Sequence, residues 1–100
     1  MGNLYRASGN YIQALEFYKK SLAVRTEMND IMGIAKSYNN IGLIYTAQGN
    51  LPEALKFQLI ALKTFEAMND KQGIAAAYHN IGNIYTQQKN YTEALKSFFN

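Results

Sequence analysis

The sequence predicts an all-α fold, an α-solenoid of antiparallel helix pairs with about two and a half repeats. The chain repeats itself with a period of 40 residues, because 20 of 40 positions in residues 9–48 are identical in residues 49–88 without a gap. Within each period the apolar residues recur three and four positions apart, which is the spacing of one helix face. We divide the chain into a single array with repeats 9–48 and 49–88 and partial repeats 1–8 and 89–100.

The first helix of each repeat has an apolar stripe of alternating isoleucine and tyrosine. In the first copy the stripe consists of Ile34, Tyr38, Ile41 and Tyr45, and in the second of Ile74, Tyr78, Ile81 and Tyr85. Gly42 and Gly82 lie beside the stripe, where glycine lowers helix stability by about 1 kcal/mol relative to alanine. We expect both glycines to allow close approach of a neighbouring helix. The pattern predicts helices near 31–48 and 71–88.

The second helix of each repeat has its own apolar face. The more complete copy has Leu51, Ala54, Leu55, Gln58, Leu62 and Phe65, and the earlier copy has Tyr11, Ala14, Leu15, Tyr18, Leu22 and Arg25. We predict helices near 10–28 and 50–68, and two incomplete helices near 1–7 and 91–100.

The predicted corners contain helix-capping residues. Asp30 and Asp70 are expected to be N-caps. Gly33 and Gly73 fall in the first turn of the capped helices, and we expect both to lie close to the preceding helix. Three asparagines start capping-box patterns with an acidic or amide residue three positions later, namely Asn10 with Gln13, Asn50 with Glu53, and Asn90 with Glu93. Gly9 and Gly49 suit the left-handed residue that ends the preceding helix.

Composition and residue types argue against several functions. The net charge is +3, the ten basic residues are scattered, and nucleic-acid binders usually have a clustered basic stripe. Cysteine is absent, His79 is the only histidine, and no glycine-rich phosphate loop is present. We therefore expect no catalytic residue, no metal and no cofactor, and the protein is not expected to be an enzyme. No apolar run reaches the ~18 residues of a membrane span, and no signal peptide is recognisable, so we expect a cytoplasmic location.

The repeated residues resemble the tetratricopeptide signature over the whole chain. The resemblance is carried by Tyr38, Ile41-Gly42, Tyr45, Gly49, Leu51, Ala54 and Ala61, and again by Tyr78, Ile81-Gly82, Tyr85, Tyr91, Ala94 and Phe98. Two features depart from it, since the period is 40 residues rather than the common 34, and Gln58 replaces an aromatic residue. The 40-residue period is similar to that of G-protein-signalling modulators and of bacterial peptide-sensing regulators and sensor kinases. This resemblance implies a right-handed superhelix whose first helices line a concave groove that binds peptides or proteins.

The face of each first helix that lies opposite the apolar stripe varies between the copies, as expected of a recognition surface. We predict that the groove is lined by Lys36, Asn39, Asn40, Leu43, Ala47, Ala76, His79, Asn80, Asn83 and Gln87. Asn40 and Asn80 are identical between the copies. An amide offers one acceptor and two donors, so these residues either hold the backbone of an extended peptide or bind a neighbouring helix or water.

The function predicted from the sequence is that of a protein- or peptide-binding scaffold module. The alternative is a purely structural or oligomerisation segment without a groove ligand. The expected partner is a protein or an extended peptide, not nucleic acid and not a membrane. Association of the chain with itself is a further hypothesis. It rests on apolar residues expected to be exposed at the repeat ends and on an outward-facing patch of the third helix, namely Leu4, Tyr5, Phe57, Ile60, Phe98 and Phe99.

Overall fold

The structure is a computed structural model that describes the backbone of residues 2–99 and the side chains of residues 10–89. Four helices follow one another along the chain, namely α1 (Gly2–Glu27), α2 (Ile31–Ala47), α3 (Leu51–Ala67) and α4 (Lys71–Phe99). Each helix packs on the next one, and α2 also contacts α4. The described residues contain no strand. This arrangement is the predicted all-α solenoid, in which α2 and α4 are the first helices of consecutive repeats.

The three corners between the helices share one backbone motif. At the first corner the Asp30 amide donates to the Arg25 carbonyl at 2.9 Å, and the Asn29 amide donates to the Thr26 carbonyl at 3.1 Å. These two bonds define a Schellman motif, which satisfies carbonyls that the helix end leaves free. Equivalent pairs of bonds end α2 and α3, where the last donors are the amides of Asn50 and Asp70. The residue that completes each motif also stands immediately before the next helix, so the corners are short.

The left-handed residue of these corners was predicted at only one of three positions. Gly49 has φ +80°, as predicted. Asn29 and Asn69 have φ of 54° and 55°, and the sequence analysis missed both. Asparagine tolerates this conformation better than most residues because its short polar side chain can hydrogen-bond locally.

The predicted N-caps are confirmed in part. Asp30 caps α2, since its carboxylate accepts a bond from the Gly33 amide at 3.1 Å. Asp70 immediately precedes α4, and its carbonyl accepts the bond of the Ile74 amide. The capping box at Asn50 is wrong, because its side chain makes no cap bond. Proline at position 52 removes one of the two amides that an N-cap side chain can reach.

The corners predicted near Gly9 and Asn90 are also wrong. Helix α1 continues through Gly9 and Asn10, and α4 continues through position 90, so the incomplete helices expected near 1–7 and 91–100 are parts of longer ones. A corner interrupts the backbone ladder, and packing of the returning helix must compensate for the loss. The division of the sequence into repeats stays a prediction.

Small residues allow the helices to pack closely. Ala35 and Ala61 have no exposed surface, and they form one core cluster with Phe65. A Cβ atom at Gly73 would fall on the Phe65 ring, and one at Gly33 would lie 2.7 Å from Cδ of Arg25. Close approach of both glycines to the preceding helix is therefore confirmed.

The two mid-helix glycines differ in their surroundings. Gly42 is buried, and a Cβ atom there would lie 2.6 Å from Nε2 of Gln58 in α3, which confirms the expected close approach. At Gly82 a Cβ atom would meet nothing within 4 Å, so the same expectation is wrong there. The reason is that α4 continues as one helix and does not turn back upon itself to cover this face.

Candidate functional site

An open cleft lies where the first halves of α2 and α4 run side by side. The corner between α3 and α4 closes one end of it. Its volume is about 320 Å³, near the lower end of the range for ligand pockets, about 300–1,000 Å³. The residues that line it are Met32, Lys36, Asn39, Phe65, Asp70, Gln72, Gly73 and Ala76.

The lining combines an apolar floor with polar groups of several kinds. Met32 and Phe65 supply apolar surface, and Lys36 and Asp70 supply opposite charges. Within the described part of the chain, no ion pair joins these two charges. An unpaired ammonium and an unpaired carboxylate in one cleft can each bind a group of opposite charge on a ligand.

Three amide side chains link the helices behind the cleft. Gln58 of α3 is fully buried, and its Nε2 donates to the backbone carbonyl of Asn39 in α2 at 3.0 Å. The Nδ2 of Asn80 in α4 donates to Oδ1 of the same Asn39 at 2.7 Å. Asn39 therefore accepts one bond from α3 and one bond from α4. Buried Oε1 of Gln58 has no partner among the described residues.

These bonds determine how Asn39 can act in the cleft. Its Oδ1 is occupied by Asn80, whereas its Nδ2 has no partner in the described part of the structure. The free donor belongs to a residue that lines the cleft. Asn80 itself contacts a neighbouring helix, which is the second of the two roles considered for it. Asn40 is half-buried, and the structure shows no bond of its side chain to another described residue.

The structure brings three of the ten predicted groove residues, Lys36, Asn39 and Ala76, together in the cleft. The other seven do not line it. Leu43, Ala47, His79, Asn83 and Gln87 are exposed on α2 and α4, whereas Asn40 and Asn80 are half-buried. Nδ2 of Asn83 lies 3.4 Å from Nε2 of His79, one turn earlier on the same helix.

The sequence analysis missed five residues of the cleft, namely Met32, Phe65, Asp70, Gln72 and Gly73. One signal for two of them was available. Met32 and Gln72 are 40 positions apart and differ between the copies, which is the pattern used to select the other groove residues. Phe65, Asp70 and Gly73 had been assigned to the core or to the corner, and nothing in their spacing indicated that a cleft would open beside them.

The outward apolar patch predicted on α3 is wrong. Phe57 is half-buried because its ring stacks against Tyr38 and Tyr45 of α2, with centroid distances of 5.8 and 5.6 Å. Ile60 is also half-buried, whereas its neighbour Leu59 is 40% exposed. The helix is therefore rotated relative to the prediction, and Leu59 points outward. The side chains of Leu4, Tyr5, Phe98 and Phe99 lie outside the described residues.

The part of the chain that the structure describes contains neither a metal site nor a membrane-spanning helix. No three histidine, cysteine, aspartate or glutamate residues come close enough there to hold a metal ion. No helix in that part is both long and apolar enough to cross a membrane.

The fold and the cleft define a class of protein, an α-solenoid of helical repeats with an open cleft between α2 and α4. Sequence models of the tetratricopeptide repeat match residues 33–98 and residues 1–29. The chain belongs to the tetratricopeptide repeat family. Repeats of this family generally mediate protein–protein interaction and are typically non-catalytic scaffolds.

Two solved structures illustrate the likeness. The apo form of RapI, a crystal structure, is 32% identical with a TM-score of 0.75, and the match covers 97% of this chain and 35% of RapI. The chain thus spans about a third of the length of RapI. The designed protein DA05, a solution NMR structure, is 24% identical with a TM-score of 0.77 over 82% of each chain, and it shows the fold alone. Comparison with curated proteins gives no match.

Proposed function

We propose that the chain binds an extended peptide segment of a partner protein in the cleft between α2 and α4. The observation that carries the proposal is the free Nδ2 donor of Asn39, which belongs to a cleft that also holds an unpaired ammonium and an unpaired carboxylate. A peptide backbone offers carbonyl acceptors whatever its sequence, and its side chains can add charge. This lining suits such a ligand.

Each part of the lining has a role in this proposal. Asn39 donates to a peptide carbonyl, and its orientation is set because Asn80 already occupies its oxygen. Lys36 attracts an acidic side chain or a carboxylate, and Asp70 attracts a basic group. Met32 and Phe65 contact an apolar side chain. The exposed groove residues further along α2 and α4 flank the peptide where it leaves the cleft.

The test begins with a random-peptide library displayed on phage and selected against the chain. The affinity of a selected peptide is then measured by calorimetry for the wild type and for two variants, Lys36→Ala and Lys63→Ala. Both lysines are exposed and both changes remove one positive charge, but Lys63 lies on α3 outside the cleft. We expect the contact between Lys36 and the peptide to contribute about 0.5–1.5 kcal/mol to binding. Lys36→Ala should therefore weaken binding by about 2–10-fold.

Two results would contradict the proposal. Selection that yields no peptide would favour the alternative, a structural segment without a groove ligand. An equal effect of both lysine variants would show that the peptide responds to net charge and not to the cleft. Binding of a nucleic acid with an affinity that falls steeply with salt would instead support a nucleic-acid-binding function, which the proposal excludes. A cytoplasmic location stays a prediction.

A further inference from the structure

The contact between α2 and α3 shows how two helices of one repeat fit together. The rings of Tyr38 and Tyr45 stack on Phe57, which lies between them. Beside this stack, Gln58 rests on Gly42 so closely that no Cβ atom would fit there. The contact therefore consists of an aromatic residue between two tyrosines and a long side chain on a glycine.

Helix α4 has the same face as α2, but no described residue covers it. Its residues 40 positions after those of α2 are Ala75, Tyr78, Gly82 and Tyr85. Tyr78 is 56% and Tyr85 is 54% exposed, and nothing lies within 4 Å of a Cβ atom at Gly82. Ala75 is exposed as well, whereas Ala35 in α2 is fully buried. A face built to receive a helix is therefore open to solvent.

Helix α1 has the complementary face, and the aromatic residue of that face is exposed. Its residues 40 positions before those of α3 are Ala14, Phe17, Tyr18 and Ser21. Phe17, at the position of Phe57, is 67% exposed. Tyr18 takes the position of Gln58, so its ring is the group that would rest on a glycine. The aromatic residue and the long side chain of the α2–α3 contact are both present.

The two open faces do not meet within one molecule. Helix α1 packs on α2 and helix α4 packs on α3, so the faces lie at opposite ends of the array. We propose that α4 of one molecule receives α1 of a second copy, with Phe17 between Tyr78 and Tyr85 and with Tyr18 on Gly82. The pairing places Phe17 and Tyr18 where Phe57 and Gln58 lie in the α2–α3 contact, which is why a second copy and not an unrelated protein is the assigned occupant.

The lengths of the helices agree with this pairing. In the α2–α3 contact Gly42 lies against Gln58, so the same antiparallel register places Gly82 against Tyr18. Helices α1 and α4 have 26 and 29 residues, and in this register they run beside each other over nearly their whole lengths. The contact is head to tail, because each molecule contributes a different face at each end. Such contacts propagate into short chains or close into rings.

Charged residues at two positions of α1 weaken the match, and one of them is Arg25 in the place of the buried Phe65. Lys20 occupies the place of Ile60, which is half-buried in α3. A lysine there reduces the apolar surface of the contact while its charged end reaches water. The association is therefore weaker than the contact between α2 and α3, and it depends on protein concentration. Replacement of this lysine by isoleucine should strengthen it.

The proposal is tested by sedimentation equilibrium of the chain from about 0.01 to about 1 mM. This concentration range suits the weak association that small protein–protein interfaces give. The average mass of the wild type should rise with concentration. Two variants should each reduce this rise in average mass. Gly82→Leu fills the space on α4 that would receive Tyr18, and Phe17→Ser removes the aromatic residue on α1. Lys20→Ile should enhance the rise. Leu59→Ser is the matched control, because Leu59 is an exposed apolar residue outside both faces, and it should behave as the wild type does.

A mixture of the two weakened variants distinguishes this contact from non-specific association. Gly82→Leu retains the α1 face and Phe17→Ser retains the α4 face, so an equimolar mixture should form one-to-one dimers and nothing larger. Circular dichroism verifies that both variants remain helical. A wild type that stays monomeric over the whole range would overturn the proposal, since another segment or protein then covers these faces. So would a mixture that does not associate, or a control that loses association as the two variants do.

Discussion

Alanine at the two mid-helix glycines should have opposite effects on stability, although the two positions are equivalent in sequence. A Cβ atom at position 42 would lie 2.6 Å from Nε2 of Gln58 and 3.1 Å from the next two atoms of that side chain. Gln58 has no exposed surface and donates to Asn39, so it cannot move without losing that bond. At Gly82 the added methyl group meets open space.

The magnitudes follow from these surroundings. At either position alanine favours the helix over glycine by about 1 kcal/mol. At position 82 nothing opposes this gain, so Gly82→Ala should raise the free energy of unfolding by about 0.5–1 kcal/mol. At position 42 overpacking costs about 1–3 kcal/mol, and a displaced, unsatisfied Gln58 adds about 1–3 kcal/mol. Gly42→Ala should therefore lower the free energy of unfolding by about 1–5 kcal/mol.

The assay is urea unfolding followed by far-UV circular dichroism, at a protein concentration low enough to keep the chain monomeric. The wild type and the two alanine variants are compared under the same conditions. Melting temperatures give a second measure, since 1 kcal/mol corresponds to about 4–8 °C for a domain of this size. The two variants should lie on opposite sides of the wild type in both measurements.

One result would refute the reasoning. If Gly42→Ala were as stable as Gly82→Ala, the contact of Gln58 with α2 would not constrain the helices. A double variant separates the causes, because Gln58→Ala removes the obstructing side chain. In that background Gly42→Ala should no longer destabilise the protein.

Three other changes test contacts around the cleft. Asn80→Ala should lower the free energy of unfolding, measured in urea, by about 0.5–1.5 kcal/mol, because the hydrogen bond to Asn39 is lost. An unchanged value would mean that this bond contributes nothing to stability. Gln58→Met should leave the free energy of unfolding within about 1 kcal/mol of the wild type. The change removes a buried oxygen that has no partner, which is favourable, and one satisfied hydrogen bond, which is unfavourable. A loss above about 3 kcal/mol would contradict this. Gly73→Ala should lower the melting temperature by about 4 °C or more, because the new methyl group falls on the buried Phe65 ring and overpacking costs about 1–3 kcal/mol. A wild-type melting temperature would contradict this close packing.

The local parts of the fold could be predicted from the sequence because they depend on neighbouring residues. The positions of α2 and α3 follow from their apolar stripes, and the aspartate cap at Asp30 and the left-handed glycine at Gly49 follow from residue type. The continuity of α1 and α4 could not be predicted in this way. A corner forms only if the returning helix packs well enough, and the asparagine and glycine around position 9 are compatible with both outcomes.

Burial was less predictable than helix position. Tyr38 and Tyr78 occupy equivalent places in nearly identical sequences, yet only Tyr38 is covered by an aromatic ring from the next helix. The residue that covers a face comes from another helix, so the local pattern contains no information about its presence. The cleft shows the same limit. Lys36, Asn39 and Ala76 could be predicted from the variable face of the first helices, whereas Phe65 and Asp70 enter the cleft only through the arrangement of the corner.

The departure of Gln58 from the family pattern has a consequence for the cleft. Its counterparts in the neighbouring copies are Tyr18 and Phe98, and a phenylalanine ring in this place could fill space but could not donate to the carbonyl of Asn39. Asn39 takes part in two bonds between helices. Its backbone carbonyl accepts the bond from Gln58 of α3, and its side chain accepts the bond from Asn80 of α4. Helices α3 and α4 are thereby both held to Asn39 of α2, and α2 and α4 form the walls of the cleft. A change at Gln58 should alter the spacing of those walls, even though its side chain does not line the cleft.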